Sequence, residues 1–274
     1  MVARMNRRDA LAVLGGAPFA ISGAHAQDAL PVVGFLNPVS PDTYGFTAAA
    51  FREGLAKAGF VEGRNVRIEY RWGRGDYTLL PALAAELAAM KVAAKGATAE
   101  IPIVFTVGAD PVRHGLVASL NRPGGNLTGI NLFSSILSAK RVEALIEIAP
   151  AIRRIALIMN PNNFAAEAEQ RDARESAKAL GREAVIVNAR NPGEIEPALA
   201  EALRLGADSF ITATDPLILD QRGPILAFAM ARGMPVAGFV RQFAVGGAVL
   251  SYGPSLTWMY HQAGVYIGAI LKGA

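Results

Sequence analysis

The sequence predicts an α/β protein built as two doubly wound lobes, each a parallel sheet with helices on both faces. Three observations carry that expectation. Short apolar runs rich in β-forming residues alternate with helical stretches along almost the whole chain, the pattern of parallel strands buried on both sides. A chain of 274 residues can bury two modest cores. Two glycine-rich joints, NRPGGNLTG at 121–129 and VGGAVLSYG at 245–253, divide the chain into a first part, a middle part and a final helix. The expected organisation is a leader at 1–26, a first lobe from 28–128 plus 250–274, and a second lobe from 129–249.

The elements follow in order. PVVGFLN (31–37) is a short β-rich run, and a Pro/Ser/Asp turn leads from it into a helical stretch, FTAAAFREGLAKAG. NVRIEYRW (65–72) alternates Val, Ile and Tyr with Arg, Glu and Arg, as a strand with two different faces does, before the helical YTLLPALAAELAAMK. IPIVFTV (101–107), LTGINL (127–132), IALIMN (155–160), EAVIVNA (183–189), SFITATD (209–215), PVAGFV (235–240) and AVLSYG (248–253) continue the strand series. Between them lie helical segments such as SAKRVEALIEIAP, AEAEQRDARESAKALG and PGEIEPALAEALRLG. One place breaks the rhythm. MKVAAKGATAEIPIVF (90–105) passes from a helix to a strand with almost nothing between them. A helix from about Thr78, a turn near Lys95-Gly96 and a strand over Ile101 to Val107 are expected there.

The first 26 residues have the form of an export signal. Arg4, Arg7 and Arg8 precede the apolar LAVLGGAPFAI, and Ala24-His25-Ala26 offers small residues before Gln27. Cleavage near Ala26-Gln27 and a periplasmic location are therefore expected. Arg7-Arg8 leaves the Sec and twin-arginine routes both open, and Met5 is a second candidate start. Removing the leader takes Lys+Arg from 27 to 24 and Asp+Glu from 23 to 22, a net charge of +2. With no Lys/Arg block, that small excess provides no footprint for nucleic acid. The 52% hydrophobic content belongs to buried sheets, because no apolar run approaches the ~20 residues of a membrane span. The absence of cysteine excludes disulfides, thiol catalysis and thiolate metal sites.

Catalytic signatures are absent: the chain has no G-x-G-x-x-G, Walker A, G-x-S-x-G or H-E-x-x-H. His114 and His261 sit in helix-like segments without a second ligand at metal spacing, so neither a metal nor any other cofactor is expected. NRPGGN reads as a tight turn, since it lacks the Lys and following helix of a phosphate loop. What recurs is a polar residue beside proline where a strand gives way to a helix: Asn37-Pro38, Ser40-Pro41, Asp110-Pro111, Asn160-Pro161 and Thr214-Asp215-Pro216. Helix capping with proline at the first helical position accounts for all of them. The same geometry also opens onto the crevice where doubly wound sheets bind ligands. There Asp110 or Asp215 could pair with an ammonium group. Tyr44, Phe239 and Tyr252 lie near strand exits, and Tyr252 is the first choice for stacking on a ligand ring.

The ordered series PVVGFLNPVSPDTYGFTAAAFREGLAKAGFVEGRNVRIEYRWGRGDYTLLPALAAEL, IPIVFTVGADPVRHGLVASLNRPGGNLTGI, AKRVEALIEIAP, ALIMNPNN and GGAVLSYGPSL resembles the ABC-transporter substrate-binding protein family of the tryptophan/tyrosine-uptake type, over nearly all of residues 28–274. The resemblance implies a type I periplasmic-binding fold whose two lobes close by a hinge motion on a small ligand. An amino acid or small organic acid, with an aromatic ring in some relatives, would be handed to an inner-membrane ABC permease. It also implies a monomer without catalysis, and a cleft lined by Asn37, Ser40, Asp110, Asn160, Thr214, Asp215 and Tyr252.

Three departures qualify the likeness. Relatives usually carry an apolar strand and a Gly/Ser/Thr-rich loop after the helix that ends here near Lys91, so the first lobe is expected to lack a strand and one wall of the cleft. They also continue beyond the point where this chain stops at ILKGA, and many carry Tyr-Glu in place of Gly238-Phe239. An internal deletion near 91–96 and a shortened C-terminus are expected to impair ligand capture. Two other readings stay open: an exported α/β enzyme acting on a small carboxylate with Asp110 or Asp215 as general base, and a sensor that signals when closed.

Overall fold

A computed structural model describes residues 30–90 and 101–273. The first lobe opens with β1 (Val32–Asn37), α1 (Pro41–Lys57) and β2 (Arg67–Trp72). A single 3-10 turn at Tyr77–Leu79 then leads into α2 (Leu80–Ala89), and β3 (Ile103–Val107) and β4 (Leu127–Asn131) follow. The chain next builds α3 (Ser134–Ile148), β5 (Arg154–Met159), α4 (Ala166–Ala179), β6 (Glu183–Asn188), α5 (Ile195–Arg204) and β7 (Ser209–Thr212). It continues through α6 (Pro216–Asp220), α7 (Arg222–Met230), β8 (Val236–Gly238), α8 (Arg241–Val245) and β9 (Leu250–Ser251), and ends in α9 (Leu256–Leu271).

The second lobe is one five-stranded parallel sheet in the order β6-β5-β7-β8-β9. Its central strands are apolar on both faces: Ile155, Ala156, Leu157 and Ile158 of β5, and Phe210 and Ile211 of β7, have no exposed surface. The reason is the doubly wound connection. Helices cover both sides of the sheet, and each side buries its own cluster, one around Ala156, Ile158, Phe210 and Val236, the other around Ile155, Leu157, Ile211 and Ala237.

The first lobe is built differently. β1 pairs with β2 in parallel, Val33 against Ile68, and β3 pairs with β4, Ile103 against Leu127. Among the described residues no ladder joins the two pairs. The absent strand that the sequence predicts falls near 91–96, outside the described residues. The helix expected from about Thr78 is the 3-10 turn followed by α2, and the strand expected over Ile101 to Val107 is β3. The turn expected near Lys95-Gly96 and the leader at 1–26 lie outside the described residues.

Helix α9 returns to the first lobe and lies along α1. Glycines make the close approach: Gly54 faces the His261 carbonyl, Gly264 faces the Phe51 carbonyl, and Gly268 faces the Ala58 methyl. A Cβ at any of these would enter a backbone or side-chain atom of the other helix. From α9, Tyr260 reaches both strand pairs. Its ring lies 5.8 Å from that of Phe35 on β1, its hydroxyl accepts a 3.2 Å hydrogen bond from Asn37 Nδ2, and Thr106 of β3 neighbours the same hydroxyl.

The structure shifts three sequence expectations. β4 keeps residues through Asn131 with the first lobe, and Leu250–Ser251 complete the second sheet. The chain therefore crosses between lobes at 131–134 and 252–255, a few residues beyond the expected boundaries at 128 and 250. His114 lies in a run of turns rather than a helix-like segment, because Gly115 takes φ +64° and ends the coil that Asp110 starts. Its ring packs 5.8 Å from that of Phe164 in the second lobe.

Candidate functional site

Within each sheet the strands run parallel, and the polar residues beside proline stand where these strands give way to the next segment. Asn37 is fully buried: its Oδ1 accepts from the Val39 amide at 3.1 Å, which folds the chain back into α1, while its Nδ2 holds Tyr260. Ser40 occupies the N-cap position of α1, yet its hydroxyl makes no cap. It lies 3.2 Å from Thr43 Oγ1 and 3.5 Å from Asp220 Oδ1, and the Thr43 hydroxyl donates to the same Asp220 oxygen. The start of α1 in the first lobe is thus joined to the end of α6 in the second.

Asp215 makes a second junction. Its Oδ1 caps α6, accepting from the Leu217 and Ile218 amides at 2.8 and 3.3 Å. Its Oδ2 accepts from the Tyr77 hydroxyl of the first lobe at 2.9 Å and from Asn163 Nδ2 at 2.7 Å. Burial pushes this carboxyl above its ordinary range, and the hydrogen bonds from Asn163, Tyr77 and the two amides oppose that push. Tyr44 is 2% exposed beside this junction and faces Tyr260, Asp215 and Asp220; burial and these neighbours hold its phenol well above the usual value.

Thr214 and Asn160 complete the second lobe's rim. The Thr214 amide donates to the Glu169 carboxylate at 3.2 and 3.0 Å, and its hydroxyl accepts from Arg141 at 3.4 Å. Arg141 and Glu169 form a buried ion pair at 3.1 Å with side chains 0% and 1% exposed. Burial pushes the Glu169 carboxyl up and the Arg141 guanidinium down, and their mutual attraction opposes both. Asn160 Oδ1 accepts from the Asn162 amide at 3.0 Å, whereas its buried Nδ2 finds no partner among the described residues.

Asp110 and Tyr252 stand apart from this network. Asp110 is exposed and caps its own turn through the Val112 and Arg113 amides at 2.9 and 3.2 Å. The Tyr252 side chain is 45% exposed and neighbours Lys140 on α3, while its backbone amide and carbonyl bond Gly238 and Arg141. Phe239 is a core residue against Phe243, with ring centroids 5.7 Å apart. The tyrosines gathered at the crevice are Tyr44, Tyr77 and Tyr260. Sequence reasoning passed over Tyr77, Tyr260, Asn163, Asp220, Arg141 and Glu169. Only Arg141 carried a signal: it lies on the same helical face as Ser138 and the buried Leu145, where a solvated charge does not belong.

Among the described residues no group of three or more His, Asp or Glu side chains could hold a metal ion, and no helix is long and apolar enough to cross a membrane. What the arrangement offers is a set of neutral donors, phenols and two carboxylates between two bodies that meet through side-chain hydrogen bonds.

Comparison with known proteins places this geometry. The chain is 25% identical over 235 residues to a tyrosine-binding protein of Clostridioides difficile (strain R20291), covering 81% of this chain and 67% of that one. Among solved structures it matches a conserved domain protein from Vibrio cholerae with TM-score 0.81 and 25% identity, over 89% of this chain and 86% of the other. It also matches the ABC domain from Streptococcus pneumonia in complex with L-Trp, with TM-score 0.78 and 19% identity over 90% and 86% of the two chains. The two parallel-sheet lobes are those of the type I periplasmic-binding fold. The family model described as ABC transporter substrate binding protein matches residues 32–274, and the chain belongs to that family.

Proposed function

We propose that this protein is the exported solute-binding component of an ABC importer, closing its two lobes on a small amino acid or organic acid and delivering it to an inner-membrane permease. The observation that carries the reading is the hydrogen bond from Tyr77 of one lobe to the buried Asp215 of the other. It places a carboxylate with well-positioned donors at the junction that a hinge motion would open. In the closed arrangement the Tyr77 hydroxyl holds the position that a ligand ammonium takes on Asp215. The orphaned Asn160 Nδ2 is the matching donor for a ligand carboxylate or carbonyl. Asn37, Ser40 and Thr214 complete the polar end, and Tyr44 and Tyr260 supply aromatic walls. Asp110 and Tyr252, which take no part in this network through their side chains, are outside the proposed contact set. The tyrosine-binding and L-Trp-bound relatives favour an aromatic amino acid.

Thermal-shift titration of the chain from Gln27 with L-Tyr, L-Trp, other amino acids and small carboxylates tests the reading, because a ligand that binds only the native state raises its stability. A rise with an aromatic amino acid that Asp215→Asn abolishes is the expected result. No rise with any compound at millimolar concentration would overturn it. Recovery of the ligand chemically unchanged separates a carrier from the enzyme reading, in which Asp110 or Asp215 would act as base and turn the compound over.

A further inference from the structure

The buried Arg141–Glu169 pair touches every part of the molecule that a hinge must coordinate. On one side is the first crossing between lobes. There Phe133 takes the left-handed conformation, φ +50° and ψ +42°, which bulky residues rarely adopt. Its amide donates to Asn131 Oδ1 at 2.7 Å. The next residue, Ser134, donates its hydroxyl to the Gly108 carbonyl of the first lobe at 2.8 Å, and its side chain neighbours Glu169. On the other side is the second crossing, where Arg141 donates to the Tyr252 carbonyl at 3.3 Å. Three residues on, Ser255 caps the helix that returns to the first lobe. Between the two crossings the pair holds Thr214, whose amide and hydroxyl it engages directly next to Asp215.

We infer that Arg141 and Glu169 form a hinge clamp: one ion pair that fixes the relative position of both crossings and of the Thr214-Asp215 rim, and so sets the balance between open and closed lobes. A surface pair could not do this, because its partners would exchange with water. Here both side chains are enclosed, and moving either crossing removes a hydrogen bond from a charge that has no solvent to turn to. The clamp also has unused capacity. Arg141 Nε and Ser138 Oγ, one helical turn apart on α3, are buried without partners among the described residues. These are the groups through which a second hinge position finds new partners, as a two-state element requires.

The inference rests on the closing-lobe reading above, yet its test needs no ligand, so a silent ligand screen and an unmoved hinge are separate results. The chain has no cysteine, and Arg64→Cys and Glu196→Cys place one spin label on an exposed site of each lobe. Double electron–electron resonance on the unliganded protein then reads the distance distribution between lobes. Glu169→Gln and Arg141→Lys are each expected to broaden the distribution and shift it from its parental position. The double variant should move it no further than the larger single change, because both residues act as one unit. Lys140→Ala, an exposed neighbour on the same helix, should leave it unmoved. If Glu169→Gln does not fold, Arg141→Lys, which keeps the charge, carries the test. Parental distributions in variants with parental circular dichroism would overturn the clamp, and so would an equal shift from Lys140→Ala.

Discussion

The two lobes share an architecture and differ in how they hold it. In the second lobe five strands form one continuous ladder, and all four residues of β7 are buried. In the first lobe, among the described residues, two strand pairs stand without a ladder between them, and every residue of β3 and β4 is only partly buried. The first lobe is held instead from outside its sheet, by the glycine-mediated contact of α9 with α1 and by Tyr260 spanning β1 and β3. A complete sheet stabilises itself locally, whereas an incomplete one depends on a helix that arrives from the far end of the chain.

The largest test of this contrast lies in the second lobe, where Glu169→Ala leaves Arg141 buried and unpaired. A loss of ~3–5 kcal/mol is expected for such a break, measured as a lower urea midpoint. Next comes a matched pair of strand leucines. Leu157→Ala in β5, with no exposed surface, should cost ~2–5 kcal/mol. Leu36→Ala in the partly buried position of β1 should fall below that range. Equal losses at the two positions would show that the first lobe is packed as tightly as the second.

Gly264→Ala probes the external support, since its Cβ enters the Phe51 carbonyl of α1. A cost of about 1–3 kcal/mol is typical of such overpacking. The informative readout is hydrogen exchange, which should quicken in β1 and β2 and stay unchanged in β5 and β7. Uniform quickening would mean that the lobes unfold as one unit.

The smallest effect concerns the junction between lobes. Burial raises the folded-state pKa of Asp215 above its ordinary value, so the folded chain binds that proton more tightly than the unfolded chain. Its contribution is therefore fullest below the ordinary carboxylate value of about 3.9 and declines as pH rises through the raised one, by at most about 1.4 kcal/mol per pH unit. The stability difference between the parent and Asp215→Asn should fall with rising pH over that window. A difference that grows with pH would show that the four hydrogen bonds outweigh burial.

The polar strand exits were legible because their signal is local. Asn37, Ser40, Thr214 and Asp215 announce themselves as polar residues beside proline at the end of apolar runs, and all four stand at strand exits. The capping explanation holds for Asp215, which caps α6, and Asn37, Asp110 and Asn160 each fold their own turn, whereas the Ser40 hydroxyl makes no cap. Capping uses only part of their capacity. Asp215 still accepts from Tyr77, 138 residues away, and Asn37 still donates to Tyr260, 223 residues away. Tyr77 and Tyr260 were not legible, since a tyrosine in a short turn or on a helix has the same local pattern whether it faces solvent or another lobe.

By itself the sequence determined what depends on neighbours along the chain. The alternation of apolar runs with helices required parallel sheets covered on both faces. The tertiary structure alone decided which polar groups meet, that Arg141 is enclosed with Glu169 rather than solvated, and that α9 holds the two strand pairs together. The physical reason is range. Backbone conformation and average burial are set within a few turns of chain, but the energy of a carboxylate, a guanidinium or a phenol depends on the group opposite it, and the fold draws those groups from far along the sequence.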